Sequence, residues 1–571
     1  MAQITLPVLF SKSEAASVKV SPHGKFIAWL ARTDGVLNLF FAALPLAESN
    51  PGSNAIPGAR ALTAAKKRDI CFYFTFSFDD ARIIYLRETD HGSELYHLYS
   101  LDVETAAEEP VPCGRDLLAS HPHLTCSVGF VGGLQLWLPR SDPSHALLAT
   151  GTGSLLWDLS SLDLSTGQLT SLAVNPATTR LGIARLVLGL LHHLLLVGFC
   201  RVLSLFTFGQ LAPLLRSIER RVPAPCVPLQ YFVDSKGVLI GTASAAFGLP
   251  QFSGFLPGIA LRFTKRLRSG RWAAASPDVP FASLNMQLVG SGAASGKMRF
   301  EALEGDAVAL HTCDTADTTS YVRYNASDAP PTILAHDPRA DIDGFYQSPT
   351  TGELDAILIT TARSEIVPLT AGGRRLKAEL EDVRVRLGRA DDDSLEVTLV
   401  SRTCADDLWV IRVGGDTKAA TFYLHTPRGD GTSGTSGTSS TSSTCLLREL
   451  ICARPALNML PLAQTEAITV IARDGEVLPA YLTRPHASSG GGSSGSGSGG
   501  VSGADGGARG GAHSGRRLPL ALFIHGGPNE RDHAGFDPAI QLLVARGIAV
   551  LTLKCVRRHI ECVSRCLLSF P

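Results

Sequence analysis

The feature that most constrains the fold is a repeated pattern of short strands and turns in the amino-terminal part of the chain. The segment from Ser21 to Leu30 matches the segment from Ser77 to Leu86 in character, position by position, at a spacing of 56 residues. A strand-and-turn segment from Leu98 to Ala106 recurs from Leu159 to Gly167, 61 residues further along. Repeats of roughly 40–60 residues made of short strands are typical of the blades of a β-propeller.

Each repeat also carries the signals of a β-hairpin. Apolar segments over 25–31 and 37–44 flank Asp34-Gly35, a dipeptide that favours the tight turns of hairpins. The segments 82–87 and 95–103 make the corresponding hairpin of the second repeat. Further strand-and-turn segments follow at 307–324, 341–361 and 396–424. One or two large β-sandwiches are the alternative architecture, but the shared hairpin signature favours a β-propeller over residues 1–460.

Three stretches interrupt this region or follow it. Residues 428–444 and 486–517 are rich in glycine, serine and threonine, so they cannot bury enough apolar surface to fold and are predicted to be a loop and a linker. The apolar stretch 186–209 approaches the roughly 20 residues that a membrane-spanning helix needs. It contains two histidines and Arg201, however, and a central arginine is costly in lipid. We therefore predict a buried irregular insertion over 181–211, or wrongly translated sequence there, and no membrane association.

A different pattern begins near residue 461. A hairpin is predicted from the apolar segments 467–472 and 477–483. After the linker, the continuous apolar runs 518–524 and 548–553 are typical of strands buried on both faces, and residues 538–546 between them have helical spacing. Strand, loop, helix and strand in this order are the start of a parallel α/β sheet. The predicted fold is thus a β-propeller followed by an incomplete α/β-hydrolase domain over 461–571.

The loop after the first of these strands carries the clearest chemical motif, His525-Gly526-Gly527-Pro528. In α/β-hydrolases an HGG-type loop after an early strand supplies one backbone N–H of the oxyanion hole. Glycine is needed there because the backbone must come close to the substrate carbonyl and turn sharply. His525, Gly526, Gly527 and Pro528 are therefore the candidate oxyanion-hole residues, although four such residues can also form an ordinary turn.

Charge and cysteine content exclude several other functions. Lysine and arginine number 52, as do aspartate and glutamate, so the net charge gives no reason to expect a nucleic acid partner. The 12 cysteines suggest neither a disulfide framework nor paired metal ligands, and the cluster of Cys555, Cys562 and Cys566 lacks a histidine at ligand spacing. No cofactor or metal is expected. The first residues show no secretory signal, which predicts a cytoplasmic protein.

The sequence resembles the acylaminoacyl-peptidase and dipeptidyl-aminopeptidase branch of the prolyl oligopeptidase family of serine peptidases. The segments 471–485 and 518–551 carry the resemblance in the second domain, and 21–40, 82–105 and 333–356 carry it in the first. The resemblance implies a propeller that caps a hydrolase domain and admits only short or unfolded peptides. It also implies cleavage near the amino terminus of such peptides through an acyl-enzyme.

The sequence departs from the family pattern after Leu553. Family members continue with an RGSxGFG-like stretch, a GxSxGG nucleophile elbow, and the aspartate and histidine of the triad. Here the only GxSxG match lies in the linker, at 491–495, whereas an elbow needs a strand-to-helix turn to present its serine. Ser564 and Ser569 lack flanking glycines, and His559 lies in the divergent tail. No catalytic residue can be assigned.

Three functions are compatible with these observations. The first is a serine peptidase of this family, truncated at its carboxyl end and inactive as it stands. The second is a non-catalytic propeller that binds partners and keeps a vestigial hydrolase fragment. The third is an esterase or lipase, which is weakest because a preceding propeller is not expected there. A GxSxGG elbow encoded downstream would separate the first from the second. The sequence leaves the oligomeric state open.

Overall fold

A computed structural model describes residues 4 to 553 with several gaps. The gaps are 49–53, 67–69, 89–94, 109–113, 128–134, 152–156, 207–225, 249–257, 281–298, 304–306, 313–317, 326–329, 389–393, 429–445, 474, 476, 487–517 and 525–531. Within the described residues, seven antiparallel sheets follow one another, each built from strands that are consecutive in the sequence.

The first four sheets contain the following strands. Sheet 1 has β1 (Ala15–Val20), β2 (Phe26–Thr33), β3 (Val36–Ala43) and β4 (Arg60–Ala61). Sheet 2 has β5 (Ile70–Phe76), β6 (Arg82–Glu88), β7 (Leu95–Asp102), β8 (Arg115–Asp116) and β9 (Cys126–Ser127). Sheet 3 has β10 (Leu136–Trp137), β11 (His145–Thr150), β12 (Asp158–Asp163) and β13 (Leu169–Ala173). Sheet 4 has β14 (Cys226–Val233), β15 (Leu239–Gly248), β16 (Gly258–Arg266), β17 (Trp272–Ala274) and β18 (Val279–Pro280).

The remaining sheets include an eighth, which differs from the others because it contains a parallel pair of strands. Sheet 5 has β19 (Phe300–Ala302), β20 (Val308–Thr312), β21 (Ser320–Tyr324) and β22 (Thr332–His336). Sheet 6 has β23 (Ile342–Gln347), β24 (Leu354–Thr360) and β25 (Ser364–Pro368). Sheet 7 has β26 (Leu395–Arg402), β27 (Trp409–Gly415), β28 (Thr421–His425) and β29 (Leu447–Cys452). Sheet 8 has β30 (Thr465–Ile471), β31 (Val477–Thr483), β32 (Leu520–Phe523) and β33 (Ala549–Leu553).

Helices are few among the described residues. They are α1 (Leu6–Leu9), α2 (Val103–Glu108), α3 (Arg180–Phe206), α4 (Ala371–Leu387) and α5 (Pro538–Val544), with short 3₁₀ turns at Pro176–Thr178 and Pro455–Met459.

The predicted hairpins are present, and their turn has the expected geometry. Strands β2 and β3 pair in register up to Thr33 and Val36, which leaves Asp34 and Gly35 as a two-residue turn. Both turn residues have positive φ, 49° and 79°, the requirement of the type I′ turns that Asp-Gly favours. The repeat is also structural, because Ser21 and Ser77 are both fully buried and each hydroxyl accepts the N–H five residues later.

Continuous apolar strands link each sheet to both of its neighbours. Successive side chains of a strand point to opposite faces, so a run such as Ile27 to Leu30 can fill two cores. Ala28 and Leu30 pack against sheet 2, whereas Ile27 and Trp29 pack against sheet 7. In β6, Ile83 and Tyr85 face sheet 1 while Ile84 and Leu86 face sheet 3.

The seven sheets close into a ring. A shared hydrophobic core joins sheets 1 and 2, 2 and 3, 3 and 4, 4 and 5, 5 and 6, and 6 and 7. A further core joins sheet 7 back to sheet 1 through Val410 and Phe422 on one side and Ile27 and Trp29 on the other. The first strands lie toward the centre, since β1 lies beside both β5 and β26.

The insertion over 181–211 differs from the prediction. Residues 180–206 form the regular helix α3, and the apolar side chains along it include exposed Val187, Leu188, Leu195 and Phe199. The prediction of a buried irregular segment was therefore wrong. A segment rich in leucine and valine satisfies its backbone hydrogen bonds locally as a helix, and neighbouring sheets leave much of this helix uncovered. Over the described residues, no helix is long and apolar enough to cross a membrane.

Helix α4 was not predicted, although its signals are present in the sequence. Leu376, Leu380 and Val383 recur at helical spacing and pack on Trp409 of sheet 7. Thr370 caps the helix by accepting the Gly373 N–H at 3.2 Å. The helical spacing is hard to recognise because two adjacent glycines lie near the start of the helix and many of its other residues are charged. The helix fills the space between sheets 6 and 7 on the outside of the ring.

A buried hydrogen bond fastens α4 to sheet 7. Nε2 of His425 lies 3.0 Å from Glu379 Oε2, and both side chains are buried. Burial lowers the pKa of His425 and outweighs the bond to Glu379; Arg386 also lowers this pKa, and Asp382 raises it. His425 is therefore neutral in the folded protein at pH 7.

We expect this histidine to make the protein less stable in acid. An unfolded histidine titrates near pH 6.5, so the unfolded chain takes up the proton first as pH falls below about 6.5. The free energy of unfolding should then fall by up to about 1.4 kcal/mol per pH unit, whereas His425→Gln should lack this component. Denaturant titrations of both proteins at pH 7.5 and 5.5 measure it. An identical pH dependence in the two proteins would contradict the assignment.

Candidate active site

Sheet 8 provides the framework of the site. Its strand order is β30-β31-β33-β32, and β32 and β33 run parallel while the other pairs are antiparallel. Helix α5 connects the two parallel strands and packs Val544 against Val550 on one face of the sheet. The carboxyl ends of both parallel strands therefore lie at one edge, where ligands bind in open α/β sheets.

The helix that connects these strands begins at Pro538, as the sequence predicts, and ends at Val544, two residues before the predicted end. Asp537 is the N-cap, and its carboxylate accepts the N–H groups of Ala539 and Ile540 at 2.8 and 2.9 Å. Gly547 follows the helix with a φ of 84°, which suits the left-handed position after a C-cap. Strand β33 is buried throughout, as predicted.

Strand β32 differs from the prediction. It was expected to be buried on both faces, but Leu520 and Phe523 are 58% and 39% exposed. The reason is its position at the end of the strand order, with β33 as its only neighbour within the described residues. An exposed apolar edge strand of this kind is a surface on which another strand can pair.

The predicted oxyanion residues His525, Gly526, Gly527 and Pro528 lie outside the described residues. The chain enters that loop after Ile524, at the carboxyl end of β32, and becomes described again at Asp532, before α5. The described part of the chain holds no group of three or more histidine, cysteine, aspartate or glutamate side chains arranged for a metal ion.

A buried ion pair joins the ring to sheet 8. No local sequence pattern had predicted this pair. Arg363, in the turn between β24 and β25, donates to both carboxylate oxygens of Asp416 at 2.9 and 2.8 Å. Asp416 is fully buried, and its hydrogen bonds raise the pKa of Arg363 further. Arg363 also donates to the carbonyl of Thr465, whose N–H donates to Asp416. The pair therefore clamps the first residue of β30 through its backbone.

One further contact holds sheet 8 against the ring, and another holds α5 against the segment that leads into β30. The hydroxyl of Tyr481 donates to the Ala362 carbonyl at 2.9 Å. The amide of Gln541, on α5, exchanges two hydrogen bonds with the backbone of Ala463, at 2.9 and 2.8 Å. On the same side, Leu9 of α1 packs with Leu542 and with residues of sheet 7. The amino-terminal helix and the junction thus fix the orientation of α5.

A cavity of about 930 Å³ lies at this junction, bounded by α4, by sheets 6 and 7 and by the β30–β31 hairpin. Leu482 and Arg484 are among its lining residues. The neighbouring Thr483 pairs with Val550, near the amino end of β33. The cavity therefore opens toward the amino ends of the parallel strands, whereas residues 525–531 follow the carboxyl end of β32.

A closed ring of antiparallel sheets followed by the first strands and helix of a parallel α/β sheet is the organisation of a propeller-capped α/β-hydrolase. Over 553 residues, or 96% of its length, the chain is 25% identical to dipeptidyl aminopeptidase BIII from Pseudoxanthomonas mexicana. The chain is therefore similar to peptidases of the prolyl oligopeptidase family. The chain spans 60% of the length of that relative. No family model matches the chain.

One solved structure supports this fold, and a second is similar over most of the chain at a lower score. A prolyl endopeptidase structure aligns with a TM-score of 0.51 and 10% identity, covering 96% of this chain and 62% of the other. A puromycin-hydrolysing peptidase from Mycobacterium tuberculosis gives a TM-score of 0.47 and 12% identity, covering 96% of this chain and 67% of the other.

Proposed function

We propose that this protein is a serine-type peptidase that cleaves short peptides near their amino terminus, in the manner of a dipeptidyl- or acylaminoacyl-peptidase. The observation that carries the proposal is sheet 8, in which α5 joins two parallel strands and the His525–Pro528 motif follows the first of them, β32, in the sequence. The similarity to dipeptidyl aminopeptidase BIII over most of the chain supports the same conclusion.

In this proposal residues 1–460 form a propeller of seven blades and residues 461–571 form the first part of the hydrolase domain. The backbone of the His525–Pro528 loop would donate a hydrogen bond to the oxyanion of the tetrahedral intermediate. The exposed edge of β32 would receive the next strand of the sheet, in a longer form of the protein that carries the nucleophile elbow.

We further propose that the 571-residue chain does not hydrolyse peptides, because its sequence offers no serine in an elbow and no triad partners. Loss of the triad removes a factor of about 10⁶ from the rate, and the oxyanion hole alone retains little. A fluorophosphonate probe should therefore not label the purified chain, while an active serine peptidase in the same buffer is labelled. Stoichiometric labelling of the 571-residue chain would refute this proposal.

Sequencing the full-length transcript across the codons of Leu553 and Lys554 tests the peptidase proposal itself. A reading frame that continues into an RGSxGFG-like stretch and a GxSxGG elbow would support it. A stop codon confirmed after Pro571 would favour the alternative function, a non-catalytic ring that binds partners.

A further inference from the structure

The turns that join the first and second strands of the sheets meet at one end of the ring. We call these segments the first turns; they are residues 21–25, 77–81, 138–144, 234–238, 348–353 and 403–408 in sheets 1, 2, 3, 4, 6 and 7. Because the first strands lie toward the centre of the ring, the first turns surround one mouth of its channel.

Neighbouring first turns are tied together by buried groups. Asp80, fully buried and at a positive φ of 63°, accepts the Ser21 hydroxyl at 3.0 Å and the His23 N–H at 3.1 Å. The N–H of Cys404 donates to the Pro22 carbonyl at 2.7 Å. The first turns of sheets 7, 1 and 2 are thus linked in the order in which the sheets follow around the ring.

Arg140 makes a contact of a different kind, because besides the neighbouring sheets 2 and 4 it reaches sheet 6, which is not a neighbour of its own sheet. It lies in the first turn of sheet 3, and its guanidinium donates to the carbonyl of Pro349 in sheet 6 at 2.8 Å. The same guanidinium lies over the ring of Phe78 in sheet 2, 5.3 Å from the centroid. Its backbone N–H donates to Ser235 in sheet 4.

A contact between sheets 3 and 6 must cross the mouth of the channel, since two sheets separate them in one direction around the ring and three in the other. Arg140 also influences Cys404 of sheet 7, where its positive charge opposes the rise in the pKa of the thiol that burial causes. One side chain therefore contacts the first turn of the neighbouring sheet 2 and, across the central axis, interacts with the first turns of sheets 6 and 7.

We propose that Arg140 closes the first-turn end of the channel and controls access to the interior of the ring. The guanidinium occupies the space between Phe78 and Pro349, and its bond to a carbonyl is charge-assisted, which makes it stronger than a neutral hydrogen bond. If the protein is a peptidase, as proposed above, its peptides enter by another route while this bond is intact. Closure of the channel itself does not depend on that function.

Cys404 is a natural reporter of closure, because it lies in a first turn and is partly buried. Peptide mass spectrometry measures two rates of alkylation at Cys404, one with a maleimide that carries a 5-kDa polyethylene glycol chain and one with N-ethylmaleimide. The first rate divided by the second is the Cys404 ratio. The fraction of thiolate affects both rates equally and cancels in the ratio. In Arg140→Ala the ratio should rise by about tenfold, which corresponds to the loss of one charge-assisted hydrogen bond.

Two controls separate closure from a general loosening of the fold. Cys226 lies at the end of β14 that is remote from the first turn of sheet 4, so its ratio should not change. Arg339→Ala removes an exposed arginine whose ion-pair partners, Asp337 and Glu365, do not belong to a first turn. The Cys404 ratio should therefore stay at the wild-type value in this variant. An unchanged Cys404 ratio in folded Arg140→Ala, or an equal rise at Cys226, would overturn the proposal.

Discussion

Replacing Asp416 with alanine should lower the free energy of unfolding by about 3–5 kcal/mol, the cost of removing one partner from a buried ion pair. Asp416 is completely buried and receives two hydrogen bonds from Arg363 and one from the Thr465 backbone. Without the carboxylate, a largely buried guanidinium and a backbone N–H lose their acceptor. Urea denaturation of the two proteins, followed by tryptophan fluorescence, measures the difference.

Glu381→Ala is the matched control for this substitution. Glu381 pairs with Arg384 on the exposed side of α4, and exposed ion pairs contribute less than about 1 kcal/mol. Adding Arg363→Leu to Asp416→Ala should recover part of the loss, because both charges are then gone. Equal stability of Asp416→Ala and Glu381→Ala would show that the junction between ring and sheet 8 does not depend on this pair.

Replacing Trp409 with alanine should cost about 3–5 kcal/mol, as is usual for large-to-small substitutions of buried aromatic residues. Trp409 is fully buried where α4, sheet 6 and sheet 7 meet, and its core includes Leu376 and Leu380. Its indole N–H donates to Asp406 at 2.8 Å, so the substitution creates a cavity and also removes a hydrogen bond. The midpoint of thermal unfolding should fall accordingly.

Trp272→Ala provides the comparison, because that indole is 46% exposed in sheet 4. Surface substitutions usually change stability by no more than about 0.5 kcal/mol. If the two tryptophan variants unfold at the same temperature, α4 does not contribute to the closure of the ring between sheets 6 and 7.

Much of the local structure could be predicted from sequence because the deciding interactions are close together along the chain. The turn at Asp34-Gly35 depends on backbone conformations that these residues favour, and α5 depends on Asp537 as its cap. The pattern of 518–553 predicted the order of strand, helix and strand, with only the burial of β32 wrong. The oxyanion assignment of His525–Pro528 stays a prediction.

The tertiary structure decided the features that depend on partners far away in sequence. Exposure of β32 follows from its place at the end of the strand order, which no local pattern records. The clamp between Arg363 and Asp416 joins residues 53 positions apart, and the bond from Arg140 to Pro349 spans 209. By itself the sequence predicted many of the strands and turns, because those preferences are short-range, although helices α3 and α4 were not predicted. Only the folded ring determined which side chains meet, because burial and ion pairing depend on distance in space.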